Sequence, residues 1–352
     1  MADTDCFGKK VNHSMKRLHY IDQLRALAIF LIIFEHNDHS SWLSAFSTSF
    51  SVPLFFVISG FVSGDKSDIA IGQYLKKQFN RLIVPYLSIA IVLYIFWFFV
   101  GRHYGESADK AYHPIKNLVG ILYAQGGPDY MNWGIPMWFL PALFMVGLID
   151  FLVSKIPFRF RFIPAIVVPI AGYALFKTTS THLPWSLDVA MAVYGFYFVG
   201  TLIRRFNLTE KMNNAILLMA ISLLFFIVHV SMAGYNGRVL YYYSDYGNQF
   251  YLMYLNGLAG FIWTFCLFKL IPLIKPMAWV GRNTLPLLGF HLLAMTFIKG
   301  FALFVLGIEI EFNVWISLLL ALVQILLVIP VILFLNRYLP FMVGNRVKRG
   351  SA

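Results

Sequence analysis

The stretch Tyr20-Ile-Asp-Gln-Leu-Arg-Ala-Leu-Ala-Ile-Phe-Leu-Ile-Ile-Phe-Glu-His36 decides how the chain is read. At about 100° per residue, the eleven steps from Arg25 to His36 make roughly three turns plus 20°, so one helix would point both side chains the same way. Asp22, one turn before Arg25, joins that face. Leu27 to Phe34 are almost all apolar, which places the helix in lipid or in a protein core with a single polar stripe. In a membrane that stripe must face inward.

Composition chooses between the two environments. The chain has 352 residues, of which 59% are hydrophobic and only 12% charged, with a mean hydropathy of +0.70. That is too apolar for a soluble protein of this size and implies an integral membrane protein. Cys6 lies in a basic tail and Cys266 in an apolar run, so neither a disulfide framework nor a metal site is suggested. The first nineteen residues lack the compact apolar core and small-residue cleavage site of a signal peptide, and read as a retained tail.

Apolar segments long enough for a bilayer, which needs about 20 residues, fall at 20–37, 47–64, 82–100, 136–153, 162–178, 185–203, 213–233, 249–268, 284–306 and 313–336. The expected fold is therefore all-α, a polytopic bundle of about ten transmembrane helices. Charge tests the count. With a cytoplasmic N-terminus, 21 of the 28 Lys and Arg residues fall in inner segments, and the outer side holds Arg102, Lys110, Lys116, Lys177, Arg238 and Lys299. Arg25 is left inside the first span. Every successive pair of loops has the sign of the positive-inside rule, so both termini are expected in the cytoplasm. The bias also accounts for the net charge of +12 without nucleic acid. No repeat or linker divides the chain, which gives a basic tail at 1–19, a membrane domain at 20–337 and a second basic tail at 338–352. The longest outer loop, residues 102–135, is read either as a cap over a cavity or as a connector.

A charged side chain at mid-membrane costs on the order of 3 kcal/mol and rarely persists without a role. Besides the first-helix stripe, the spans contain Asp188, His229, His291 and Lys299. For His229 a hydrogen bond between helices is the favoured reading. Asp188 and Lys299 fall near the outer ends of their spans, where rim positions account for them. His291 lies about two turns into its span, after a helix start at Arg282-Asn-Thr-Leu-Pro286, and is as readily functional as structural. Gly60 and Gly64 read as a small-residue spacing for close helix packing. Trp138 fits an interfacial anchor or a cavity wall. Glu35 follows the stripe but points about 100° away from His36, which makes it a poor partner for orienting the imidazole. No phosphate-binding loop, dinucleotide fingerprint, serine nucleophile elbow or zinc-protease helix is present, which leaves nucleotide hydrolysis and proteolysis unsupported.

Five motifs together resemble membrane-bound acyltransferase family 3, typified by bacterial glycan O-acetyltransferases. They are the opening run with Arg25, ten intervening residues and His36; Pro53-Leu-Phe-Phe-Val-Ile-Ser-Gly-Phe61; Arg81-Leu-Ile-Val-Pro-Tyr86; Trp138-Phe-Leu-Pro-Ala-Leu-Phe144; and Gly281-Arg-Asn-Thr-Leu-Pro-Leu-Leu-Gly-Phe-His291. They occur in the family's order across nearly the whole chain. Members often carry two arginines three apart before the third span; here Gln78 takes the first place and Arg81 the second, with Lys76 and Lys77 as point charges nearby.

The resemblance implies a multi-pass protein of a bacterial inner, or cytoplasmic, membrane. It would move an acyl group, usually acetyl, from cytoplasmic acetyl-CoA to a hydroxyl of a cell-surface polysaccharide, lipopolysaccharide or lipid-linked glycan. Acetyl-CoA is then a substrate, with no permanently bound cofactor and no metal; the partners are the donor, the carbohydrate acceptor and the lipid bilayer, and self-association into a homo-oligomer is compatible. His36 would be the general base. Lys77 and Arg81 would meet donor phosphates, and Asp22, Arg25, Trp138 and His291 would line the substrate path. Arg25, about 16 Å from His36 by helical rise, would hold donor phosphate or, paired with Asp22, stabilise the cavity wall. A ten-span transporter or flippase, with the Asp22, Arg25 and His36 stripe as a proton or solute path, fits composition and span count equally well.

Overall fold

In a computed structural model, the structure describes residues 18–37, 39–64 and 66–344. The expected tails at 1–19 and 338–352 lie largely outside these residues. Among the described residues the protein is a helical bundle without strands, its only pairing of β type being the bridge between Leu240 and Asp245.

Helix α1 is His19–Glu35. Among the described residues nine further helices are long and apolar enough to cross a membrane: α2 Ser41–Val62, α3 Ile71–His103, α4 Ile135–Ser154, α5 Phe158–Thr179, α6 Pro184–Arg205, α7 Ala215–Asn236, α8 Phe250–Leu270, α9 Thr284–Phe304 and α10 Val314–Tyr338. With α1 these are the ten elements expected from the apolar segments. Two begin well before their apolar runs. α2 starts at Ser41, where the Ser40 side chain accepts from the Leu43 N–H at 3.5 Å. Its serines are polar in composition but buried against protein, which is why an apolar count starts the span six residues late. α3 starts at Ile71, runs through a π-helical turn at Phe79–Ile83 and becomes apolar only from there. α5 and α6 are separate helices joined by a short turn in which Ser180 adopts a left-handed φ of 50°.

The bundle centre is α2 and α6, which cross backbone to backbone. A methyl group at Gly60 would collide with the Tyr197 carbonyl, and one at Gly200 with the Val57 carbonyl. Gly60 thus has the packing role read from its spacing, whereas Gly64 has no neighbour that a side chain would meet. α5 and α7 lie at the periphery, with large apolar side chains such as Ile163, Ile166, Ile216 and Leu223 outward, as a lipid environment requires.

α1 is held at both ends. At its start the short helix Lys275–Arg282 lies across it so closely that a methyl group at Gly281 would strike the Asp22 carbonyl. The Gln23 side-chain oxygen accepts from the Ile274 N–H at 2.7 Å. At its far end Asn37 donates to the Ile33 carbonyl at 3.0 Å and accepts from the Gln324 amide of α10 at 2.8 Å. These bonds fix where the residues between them point.

Candidate active site

The same face of α1 that carries Arg25 also presents Ile29, Ile32 and His36 to a cavity of about 350 Å³. Arg81, Thr284 and Gly344 surround one end of it beside Arg25, while Thr48, Arg238 and Tyr242 surround the other beside Glu35 and His36. Between them the walls are apolar, with Phe55, Phe139, Leu143 and Leu288. A second cavity, of about 710 Å³, lies where α1 ends and α2 begins, and is lined by Asn37, His39, Ser44 and Lys299 among others. Glu35, His36 and Arg238 line both cavities.

His36 is the residue just past the last turn of α1, its N–H bonded to the Ile33 carbonyl at 3.2 Å. Its ring centroid lies 5.1 Å from that of His291 on α9. His291 is fully buried; its Nδ1 bonds the Leu287 carbonyl at 2.8 Å, which makes Nδ1 the protonated nitrogen and leaves Nε2 as the acceptor. That Nε2 is buried without a hydrogen-bond partner among the described residues. The second histidine thus stands beside the first, but it is not itself in the lining of either cavity.

The remaining expected residues divide. Asp22 is buried behind the cavity wall, 4.0 Å from Arg25 and 3.8 Å from Arg282, and does not itself line the cavity. Arg25 and Arg81 do, at the same end. Lys77 is exposed on α3 and stands outside the lining. Trp138 is a buried cavity wall. The loop preceding it packs against two residues of the wall: a methyl group at Gly126 would sit 2.6 Å from the Tyr242 Cβ and 2.8 Å from the Trp138 Cγ. Of residues 102–135, Ile135 is the one in the lining among the described residues, and the loop is tied together by Asn117, which accepts from the Asn132 N–H at 2.8 Å and donates to the Asp129 carbonyl at 3.0 Å.

Other buried polar groups are structural. His229 bonds Ser49 Oγ at 2.8 Å and accepts from the Trp263 indole at 3.1 Å, joining α2, α7 and α8 as read from the sequence. Asp188 is not a rim residue: it is fully buried, 2.8 Å from His182 Nδ1, accepting from the Leu183 N–H at 3.1 Å and from Ser244 Oγ at 3.0 Å, so it ties two connecting segments together.

The sequence reading missed the partners of Glu35. Its carboxylate accepts from Ser44 Oγ at 2.5 Å and Ser47 Oγ at 2.8 Å, and Arg238 Nη2 lies 2.8 Å from it. His36 is not among these partners, as the 100° offset implied. Ser44 and Ser47 are one turn apart at the start of α2, a spacing visible in the sequence but meaningless without the fold. Arg238 was visible only as an outer-loop charge. Beside it, burial pushes the Tyr242 hydroxyl up to about 12, so that it remains a proton donor near neutral pH.

No curated protein and no solved structure matches the chain. A family model does: the acyltransferase domain of family 3 matches residues 18–337. The match begins one residue before α1 and ends one residue short of the end of α10, so it takes in His36, His291, Arg238, all of the second cavity and all of the first but Val343 and Gly344. The chain thus belongs to acyltransferase family 3 and is a multi-pass membrane acyltransferase.

Proposed function

We propose that the protein transfers an acetyl group from cytoplasmic acetyl-CoA to a hydroxyl of a cell-surface or lipid-linked glycan, with His36 as general base, in a bacterial inner membrane. The observation that carries this reading is that His36 lines both cavities. A reaction between a donor on one side of a membrane and an acceptor on the other needs such a junction. The cavity that starts at Arg25 and Arg81 has cations where donor phosphates would sit and apolar walls for the acyl-pantetheine arm. Its volume is at the lower end for small-molecule sites, which suits the arm alone, with the nucleotide left at the mouth. The second cavity, polar on the α1 and α2 side, would take the sugar.

A sugar hydroxyl is a poor nucleophile near neutral pH. The His36 imidazole would remove its proton as the oxygen attacks the thioester carbonyl, forming the C–O bond. Collapse then breaks the C–S bond, and the departing thiolate takes the proton from the imidazolium. Held near both groups, the imidazole serves each half of the reaction without moving between the cavities.

Membranes containing the protein, given acetyl-CoA labelled in the acetyl group, are expected to pass label to glycan. Mass spectrometry of surface glycans from cells with and without the gene should show acetyl esters only in the former. Identical glycans in both, or label recovered in lipid or protein alone, would overturn the acceptor class.

A further inference from the structure

We infer that Arg238 stabilises the oxyanion formed on the thioester carbonyl, and that Glu35 positions it. The inference rests on the acyl-transfer reading above and adds a second group to the reaction. In that reaction the carbonyl oxygen gains a full negative charge when the acceptor oxygen bonds to carbon, and loses it when the C–S bond breaks. The base removes a proton but does nothing for this charge. Fixed donors placed where this charge forms are often the largest contribution to rate.

Among the described residues, Arg238 and Glu35 are the two that line both cavities with His36. Arg238 is half exposed, on a segment just past the end of α7, and one of its nitrogens is taken by Glu35 at 2.8 Å. A guanidinium has five N–H donors in a rigid fork, so others are left to face the cavities. Glu35 is in turn fixed by Ser44 and Ser47 from α2, and His39 stands 3.3 Å from it outside hydrogen-bond geometry. With three donors on it and none from His36, the carboxylate is unsuited to serve as a second base. It is well suited to hold a guanidinium still. Because the pair is neutral overall, Arg238 would bind a developing charge without retaining the anionic products.

The test measures initial rates of acetyl transfer, normalised to folded protein, in the wild type and in Arg238→Gln, Arg238→Lys, Glu35→Gln and His36→Ala. Loss of one oxyanion donor is expected to lower kcat on the order of 100-fold in Arg238→Gln, with the KM values for acetyl-CoA and acceptor little changed. Arg238→Lys, which keeps charge without the fork, should fall between it and the wild type. Glu35→Gln should lower kcat less than Arg238→Gln while leaving KM in place, and should lower it little further when combined with Arg238→Gln, a non-additivity that loss of folded protein would not produce. A rise in either KM at constant kcat for Arg238→Gln would make Arg238 a binding residue and overturn the inference, as would unchanged kinetics. If that variant does not fold, the same split is read from Arg238→Lys, for which an unchanged kcat is the overturning result. An active His36→Ala would instead remove the general-base reading; an inactive one beside an unimpaired Arg238→Gln removes only the role of Arg238.

Discussion

Two ion pairs of the same chemistry do different things in this protein. Glu35 and Arg238 meet at the junction of two cavities, with the arginine half exposed. Lys66 and Asp150 meet where the segment after α2 packs on α4 and α6, both side chains nearly inaccessible and in neither cavity. Lys66 also donates to the Tyr197 hydroxyl at 3.1 Å, and the Tyr194 hydroxyl donates to Asp150 at 3.3 Å. Burial pulls the Lys66 ammonium down, but Tyr197 and Asp150 outweigh it and hold the group above an ordinary lysine. Lys155 then caps the Lys66, Ser67 and Ile69 carbonyls, at 3.2, 2.7 and 3.0 Å, and closes the turn. A sealed pair of this kind fixes a fold. An open one leaves donors available for chemistry.

The largest effect expected from this contrast is on stability at the sealed pair. Asp150→Ala strands a buried ammonium and should cost about 3–5 kcal/mol, read as a lower thermal midpoint in detergent, while the rate per folded enzyme is kept. Replacing both partners, Lys66→Met with Asp150→Leu, should restore much of the loss. A midpoint unmoved by Asp150→Ala would show that the pair is not structural. The sign of the lysine shift adds a condition. A group held above its unfolded value of 10.5 contributes in full below that pH and loses its contribution only above it. The deficit of Asp150→Ala should therefore be the same at about pH 6 and about pH 8.

At the open site the expectation reverses. His36→Ala should lower transfer by about 100-fold or more with no loss of expression or thermal midpoint, because one imidazole can be removed without exposing backbone. Retention of more than about a tenth of the rate would end the general-base role.

A smaller effect is expected at the cavity end farthest from His36. Arg81→Gln should raise the KM for acetyl-CoA by about tenfold, the loss expected for one charge-assisted contact, with little change in acceptor dependence. Equal effects on both substrates would remove Arg81 from the donor end.

The smallest perturbation tests where the two pairs sit. In a background of Cys6→Ser and Cys266→Ala, a cysteine at exposed Ala108 should react with an impermeant thiol reagent in intact spheroplasts. One at exposed Ser67, next to the sealed pair, should react only after permeabilisation. The reverse pattern would put Arg81 on the side without acetyl-CoA.

The sequence alone determined the ten helices, the shared face of Arg25 and His36, and the family, because apolar run length, the helical period and local motifs are all properties of neighbours along the chain. It also read Gly60 and His229 for what they are. It misjudged Asp188, since a position near a span end looks like a rim until connecting segments fold over it. It started α2 late because serine counts as polar even when its hydroxyl serves Glu35 or His229. Only tertiary structure decided that Glu35 belongs to Ser44, Ser47 and Arg238, that Lys66 is buried with Asp150, and that two cavities meet at His36. Glu35 and Arg238 are about two hundred positions apart in the chain, and Lys66 and Asp150 more than eighty. No linear pattern encodes which charges meet across such distances, because the choice is made by helices that first have to pack.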